Sequence, residues 1–173
     1  MTKRAVVFRG KIHTCYEQMY VLSGDDVDGA MMYDSFIGQA NGLCGGAVRG
    51  GLFLRMGVHT GEVFISVGVC DMAPPVDDSW EEIVEASCCF NPPPITFQGW
   101  DGSGYFRLPL TEGDYRARFC VKGYGQSEKT RVFGDPLVEN YCLLIWPAPR
   151  VADEILKQTS DIATYRHQAA SKK

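Results

Sequence analysis

Apolar and polar residues alternate with a period of two along much of the chain, which predicts a β-rich protein. Leu52–Val58 and Val63–Val69 each place an apolar residue at every second position, as strands with one buried face do. The link between them, His59–Gly61, contains a glycine and predicts a β-hairpin. A second hairpin is predicted from Ile95–Trp100 and Tyr105–Leu110, because an Asp-Gly turn joins them.

Further strands are predicted where alternating or apolar runs lie between turn residues: Ala5–Phe8, Ile12–Leu22, Trp80–Phe90, Val138–Trp146 and the run that begins at Tyr115. Leu110–Tyr115 resembles a tyrosine corner, in which the tyrosine hydroxyl bonds to the backbone a few residues upstream. This motif favours a sandwich over a closed barrel. We therefore predict a mostly β protein, a two-sheet antiparallel β-sandwich of about eight strands.

Helical periodicity occurs in one segment, residues 151–167. Val151, Ile155 and Ile162 lie on one stripe, and acidic residues in the first turn with His167 in the last suit the helix dipole. This predicts one C-terminal α-helix, at about 151–167, that packs on the chain's own sheets. No repeat or linker divides the chain, so residues 1–173 are predicted to form a single domain.

Charge is uneven along the 173 residues, whose net charge is −4. Residues 1–86 hold 6 basic and 12 acidic groups, whereas residues 87–173 hold 11 and 9. An acidic region repels phosphate backbones and attracts basic proteins, so we predict a protein partner, such as a nuclease or toxin, and no direct nucleic acid. The apolar runs are far shorter than the ~20 residues that cross a bilayer, which predicts a cytoplasmic protein with no membrane association.

The cysteine and histidine positions do not match a catalytic or metal-binding pattern. Seven cysteines without a C-x-x-C pair predict buried core thiols rather than a zinc site, and we expect no cofactor. The three histidines are not at ligand spacing, so a non-enzymatic protein is predicted. The alternative is a small enzyme or ligand-binding sandwich whose pocket contains Cys44, His59 and Asp71.

Clusters of carboxylates lie in two predicted loops. We predict that these acidic loops and nearby aromatic residues bind the partner: Asp25, Asp26, Asp28, Tyr33, Phe36, Asp77, Asp78 and Trp80. A calcium site built from the same carboxylates is a further alternative. The glycine-rich segment Gly42–Gly51 lacks the Lys-Ser/Thr of a phosphate loop, so it is predicted to be a flexible or sharply bent connection rather than a nucleotide site.

Three landmarks resemble, in order, those of the bacterial competence-nuclease inhibitor family: Tyr16–Val21, Gly42–Gly46 and Glu112–Tyr115. Members of that family are small acidic cytosolic proteins that bind and silence a DNA-entry nuclease. The chain also resembles a bacterial group of unassigned activity, through Gly42–Gly45, His59–Gly61, Ala73–Asp77 with Trp80–Glu82, Trp146–Pro149 and Gln158–Ser160. The first resemblance implies an inhibitor or immunity factor that masks a basic partner such as a nuclease.

Overall fold

A computed structural model describes residues 2–24, 34–102, 104–126 and 138–172 of the chain. The elements in chain order are β1 (Arg4–Cys15), β2 (Gln18–Ser23), a 3-10 turn (Asp34–Phe36), β3 (Cys44–Gly45), β4 (Gly51–Arg55), β5 (Thr60–Cys70), β6 (Glu82–Phe90), β7 (Ile95–Gly99), β8 (Gly104–Arg107), β9 (Gly113–Lys122), β10 (Asn140–Pro147), β11 (Glu154–Lys157) and α1 (Asp161–Ala170). The predicted mostly β fold with a C-terminal helix is confirmed.

The strands form one open mixed sheet rather than the predicted antiparallel sandwich of two sheets. Its order is β11-β6-β9-β10-β5-β1-β2-β4-β3, and β7 and β8 extend it from β2. β10 runs parallel to β5, whereas the other described pairs are antiparallel. The predicted sandwich was wrong in this respect because β1 turns directly into β2 through the pair Cys15–Gln18, which keeps the sheet continuous. The eleven strands also exceed the predicted number.

The sheet folds over at this turn, so that its two parts share a core. One part holds β11, β6, β9, β10, β5 and β1, and the other holds β2, β4, β3, β7 and β8. Met19 and Leu54 from the five-strand part belong to the same buried cluster as Ile65 and Phe119 from the six-strand part. Burial of such side chains is worth roughly 1.5–3 kcal/mol each and stabilises the packing of the two parts of the sheet against each other.

The two predicted hairpins have different outcomes. β7 and β8 pair antiparallel, with Phe97 opposite Phe106, as predicted. The predicted hairpin across His59–Gly61 is not formed. β4 pairs with β2 and β3, while β5 pairs with β1 and β10. The two strands exist, but the connection that contains the buried Met56 and Val58 carries the chain from one part of the sheet to the other.

The predicted tyrosine corner is confirmed at the start of β9. The hydroxyl of Tyr115 donates a hydrogen bond to the carbonyl oxygen of Thr111 at 3.1 Å. It also accepts one from the Thr111 backbone N–H at 3.2 Å. The corner fixes how the chain enters β9, which pairs with β6 on one side and β10 on the other.

The C-terminal segment is half strand and half helix, which corrects the predicted helix at 151–167. Residues 154–157 form β11 on β6, with Ile155 opposite Val84, and Val151 is exposed. The helix begins only after Ser160, whose side chain accepts a hydrogen bond from the Ala163 backbone N–H. Strand pairing outweighs the helical pattern here because Ile155 packs against the shared core.

The glycine-rich segment Gly42–Gly51 packs tightly against the C-terminal helix, a contact that the sequence did not predict. A Cβ at Gly42 would lie 2.1 Å from the carbonyl oxygen of Arg166. The backbone N–H of Gly42 donates to Nδ1 of His167 at 2.9 Å. The carboxylate of Asp153 accepts hydrogen bonds from the backbone N–H groups of Ala40 and Asn41 and from the Asn41 side chain. Glycine is required at residue 42 because helix backbone occupies the space of a side chain.

Candidate functional site

Three rings gather at the surface where β1 turns into β2. The ring of Tyr16 lies 4.5 Å from that of Trp100 and 5.2 Å from that of His59, measured between centroids. Tyr16 is 50% exposed and Trp100 is 51% exposed. We name Tyr16, His59 and Trp100 the aromatic patch. Half-exposed tryptophan and tyrosine in mutual contact are the residue types that dominate binding energy at protein interfaces.

The patch stands on a backbone turn that side chains rarely adopt. Tyr16 has φ 55° and Glu17 has φ 60°, and neither is a glycine. The carboxylate of Glu17 accepts two hydrogen bonds from the Arg166 guanidinium, at 2.9 and 2.7 Å, and its backbone bonds to His59 and Met56. Strained conformations of this kind persist where the surrounding structure holds them, and they cluster at functional sites.

Acidic residues flank the aromatic patch. Asp101 directly follows Trp100 and is exposed. Glu62, also exposed, lies two residues after Thr60, which pairs with Cys15 next to Tyr16. An apolar aromatic centre with a charged rim is the usual arrangement of a protein-binding surface, and carboxylates on the rim favour a basic partner.

The alternative pocket around Cys44, His59 and Asp71 is not assembled. Cys44 is fully buried in the shared core, and burial raises the pKa of its thiol well above the ordinary value. His59 precedes β5 and Asp71 follows it, so the length of this strand separates them by roughly 35–40 Å. Asp71 instead accepts a hydrogen bond from the Lys3 backbone N–H at 2.9 Å. These three residues do not line a common site.

The residues predicted to bind a partner have different environments. Asp25, Asp26, Asp28 and Tyr33 lie outside the described residues. Phe36 is a core residue and not an exposed loop aromatic, because it packs edge-on against Phe53 with the Arg55 guanidinium above it. Asp77 and Asp78 are exposed in the loop before β6, with the half-buried Trp80 beside them. Two hydrogen bonds from Ser79 lower the pKa of the Asp77 carboxyl.

A groove of about 800 Å³ runs over the outer face of the six-strand part, and we name it the outer channel. Its floor includes Ser66 and Cys142, which are neighbours across β5 and β10. Its lining also includes cations and aromatic rings: Arg4, Arg9, Phe64, Trp80, Arg118 and Lys122. Arg118 and Lys122 alternate along one strand in the sequence, but their meeting with Arg4 and Arg9 is not apparent from it, because β1 and β9 are far apart along the chain.

Arg116 and Arg118 fasten two segments to this outer face. Both donate to the carboxylate of Glu85, at 3.0 and 2.8 Å. Arg116 also donates to the carbonyl oxygens of residues 151 and 152, and Arg118 to those of Pro74 and Pro75. All three charged side chains are largely buried, so their paired geometry is structural.

Within residues 2–24, 34–102, 104–126 and 138–172, no three histidine, cysteine or carboxylate side chains are grouped as metal ligands. No helix in the same part of the chain is long and apolar enough to cross a membrane.

The fold of this β-rich chain is similar to those of two solved structures. ComJ from Bacillus subtilis, an inhibitor of the DNA-degrading activity of NucA, matches 84% of this chain and 99% of its own, with a TM-score of 0.57 and 14% identity. The product of crocagin biosynthetic gene J matches 86% of this chain and 99% of its own, with a TM-score of 0.52 and 10% identity. No family model and no curated protein matches the sequence.

These likenesses confirm the expected resemblance to the nuclease-inhibitor family at the level of the fold. The aromatic patch was missed by the sequence analysis. Neither Tyr16 nor Trp100 lies in a motif that predicts exposure, and the Tyr16–Glu17 turn lacks the glycine or asparagine that signals a positive φ.

Proposed function

We propose that this protein is a non-enzymatic inhibitor or immunity factor that binds and masks a basic protein partner such as a nuclease. The observation that carries the proposal is the aromatic patch, in which Tyr16, on a turn with positive φ, and Trp100, after β7, are each half exposed. The ComJ-like fold supports an inhibitor role, since ComJ itself inhibits a nuclease. The full burial of Cys44, which raises the pKa of its thiol and keeps it protonated, favours binding over catalysis.

Binding would place Tyr16 and Trp100 at the centre of the interface and Glu62 and Asp101 at its rim. The rim charges would speed the encounter with a basic surface, and the rings would supply most of the affinity. The carboxylates Asp77 and Asp78 lie in the loop before β6, which contacts Lys122 on β9 through Ser79, and they would form a separate contact with a large partner.

The test measures degradation of duplex plasmid by purified NucA, and by extract of the source cells, with increasing amounts of this protein. Wild-type protein is expected to slow degradation. The double variant Y16A/W100A is expected to need at least about thirtyfold more protein, which corresponds to about 2 kcal/mol of lost binding energy. Tyr165→Ala is the matched control, because Tyr165 is 64% exposed and lies outside the patch.

Two results would overturn the proposal. If wild-type protein slows neither NucA nor any nuclease activity of the extract across growth stages, the inhibitor function is wrong. If Y16A/W100A is folded by circular dichroism and inhibits as strongly as Y165A, the aromatic patch is not the binding surface. Duplex plasmid is used so that occupation of a single-stranded substrate cannot imitate inhibition.

A further inference from the structure

The outer channel has cations on both sides and small side chains on its floor. Arg4 and Arg9 lie on β1, while Arg118 and Lys122 lie on β9. β5 and β10 separate these strands, so the two rows of cations stand about 14 Å apart at the usual strand spacing. Between them lie the small side chains of Ser66 on β5 and Cys142 on β10, next to each other, together with the larger Phe64 and Leu144.

Three of the four cations form no ion pair within 4 Å in the described parts of the chain, although Asp77 lies close enough to Lys122 for the two charges to interact. Arg4 donates to the Cys142 sulfur at 3.8 Å, and the Arg9 guanidinium lies 6.0 Å from the Phe64 ring centroid. Lys122 donates to the Ser79 hydroxyl and lies 5.1 Å from the Trp80 ring centroid. Arg118 differs because it pairs with Glu85, and one carboxylate, that of Asp77, is in the channel lining.

Rows of cations combined with aromatic rings are how proteins hold single strands of nucleic acid without reading their sequence. The cations contact phosphates and the rings contact bases. In the outer channel each ring lies next to a cation, Phe64 beside Arg9 and Trp80 beside Lys122. We propose that the outer channel binds single-stranded nucleic acid, with Arg4, Arg9 and Lys122 on its phosphates and Trp80 against a base.

The width of the channel and the aromatic rings favour this ligand over other polyanions. A duplex is broader than the space between the two rows of cations and keeps its bases stacked away from Trp80. An acidic peptide would use the cations but gains nothing from the rings. The net charge of −4 does not oppose local binding, because charges farther away than the Debye length of about 8 Å are largely screened at physiological salt.

The test is fluorescence anisotropy of a fluorescein-labelled oligothymidylate titrated with the full chain at low and at physiological salt. Wild-type protein is expected to bind, and more weakly at high salt. The triple variant R4Q/R9Q/K122Q is expected to lose at least about tenfold in affinity, and the slope of log K against log salt should fall by about 2. R107Q/R150Q/K172Q is the control, since it removes the same charge at three exposed positions outside the channel.

Trp80→Ala provides a second measurement that does not change the charge, and it should also weaken binding several-fold. The proposal fails if the oligonucleotide does not bind at low salt, or if the two triple variants bind it equally. It also fails if polyglutamate or a blunt duplex competes as well as unlabelled oligothymidylate does. Because R4Q/R9Q/K122Q retains the aromatic patch, it should still inhibit the nuclease, so this proposal and the proposed function fail separately.

Discussion

The imidazole of His167 accepts a hydrogen bond from the backbone N–H of Gly42 at 2.9 Å, across 125 residues of sequence. Nδ1 must therefore be unprotonated, and Nε2 is buried with no partner in the described structure. Burial lowers the pKa of His167 to about 4, against a smaller opposing effect of Asp153. The contact joins the glycine-rich connection to the C-terminal helix only while the ring is neutral.

Stability should therefore fall when the pH drops from about 6.5 to about 4. In this range the unfolded chain binds a proton at His167 and the folded chain does not, so the free energy of unfolding rises with pH. The neutral state of His167 contributes at most about 3 kcal/mol to the free energy of unfolding, and this contribution is fully present above pH 6.5. Urea denaturation across this range measures it. His167→Asn should flatten that part of the profile, and an unchanged profile would contradict the assignment.

Asp153→Ala should lower the free energy of unfolding by about 1–3 kcal/mol, because it leaves the donors of Ala40 and Asn41 without their acceptor. The neighbouring Glu154 is exposed, and Glu154→Ala is the matched control for loss of a carboxylate. We expect the control to change stability by less than about 0.5 kcal/mol. Equal effects in urea denaturation would show that Asp153 does not hold the connection.

Gly42→Ala should be more damaging than Gly102→Ala. At Gly42 the added methyl would meet the Arg166 backbone at 2.1 Å, so the helix or the connection must move. At Gly102 the φ of 76° is unfavourable for alanine but nothing lies within 4 Å, and the cost should stay near 1–2 kcal/mol. Thermal unfolding of both variants distinguishes steric overlap from backbone strain. A smaller decrease in melting temperature for Gly42→Ala than for Gly102→Ala would mean that the close packing around residue 42 relaxes.

Ellman's reagent should label one thiol in the native protein and all seven in urea. Cys15 is partly exposed, whereas the other six cysteines are buried. Burial raises the pKa of Cys88 and of Cys120 to about 12, so these thiols are also protonated at neutral pH. Cys15→Ser should abolish the native reaction. Rapid native labelling of Cys44 would revive a catalytic role for that residue.

Local features of the fold were predictable, and long-range pairing was not. The β7–β8 hairpin and the tyrosine corner depend on residues within a few positions of one another, so turn chemistry alone predicts them. β4 and β5 are close in sequence but find partners elsewhere, because each must bury its apolar face in a core shared by distant strands. For the same reason Glu154–Lys157 forms a strand on β6, although its sequence has a helical pattern.

The candidate sites could be predicted even less well. Exposure of Tyr16 and Trp100 depends on where β1 turns and on how the β7–β8 hairpin folds back. The position of the hairpin relative to β1 is held by the Tyr105 hydroxyl, which donates to the His13 carbonyl oxygen at 2.7 Å. Phe36 has the sequence setting of a loop aromatic, yet Phe53 and Tyr20 build a small core around it. Such placements follow from tertiary packing, which a local pattern does not contain.

The carboxylate of Glu85 binds two arginines, and these arginines hold two segments that are far apart along the chain. Through Arg118 it retains the loop that contains Pro74 and Pro75, and through Arg116 it retains the segment that leads into β11. Removal of Glu85 would leave both buried arginines without their acceptor, so both segments depend on this one carboxylate. The loop and the C-terminal segment should therefore open as one cooperative unit, although more than seventy residues separate them along the chain.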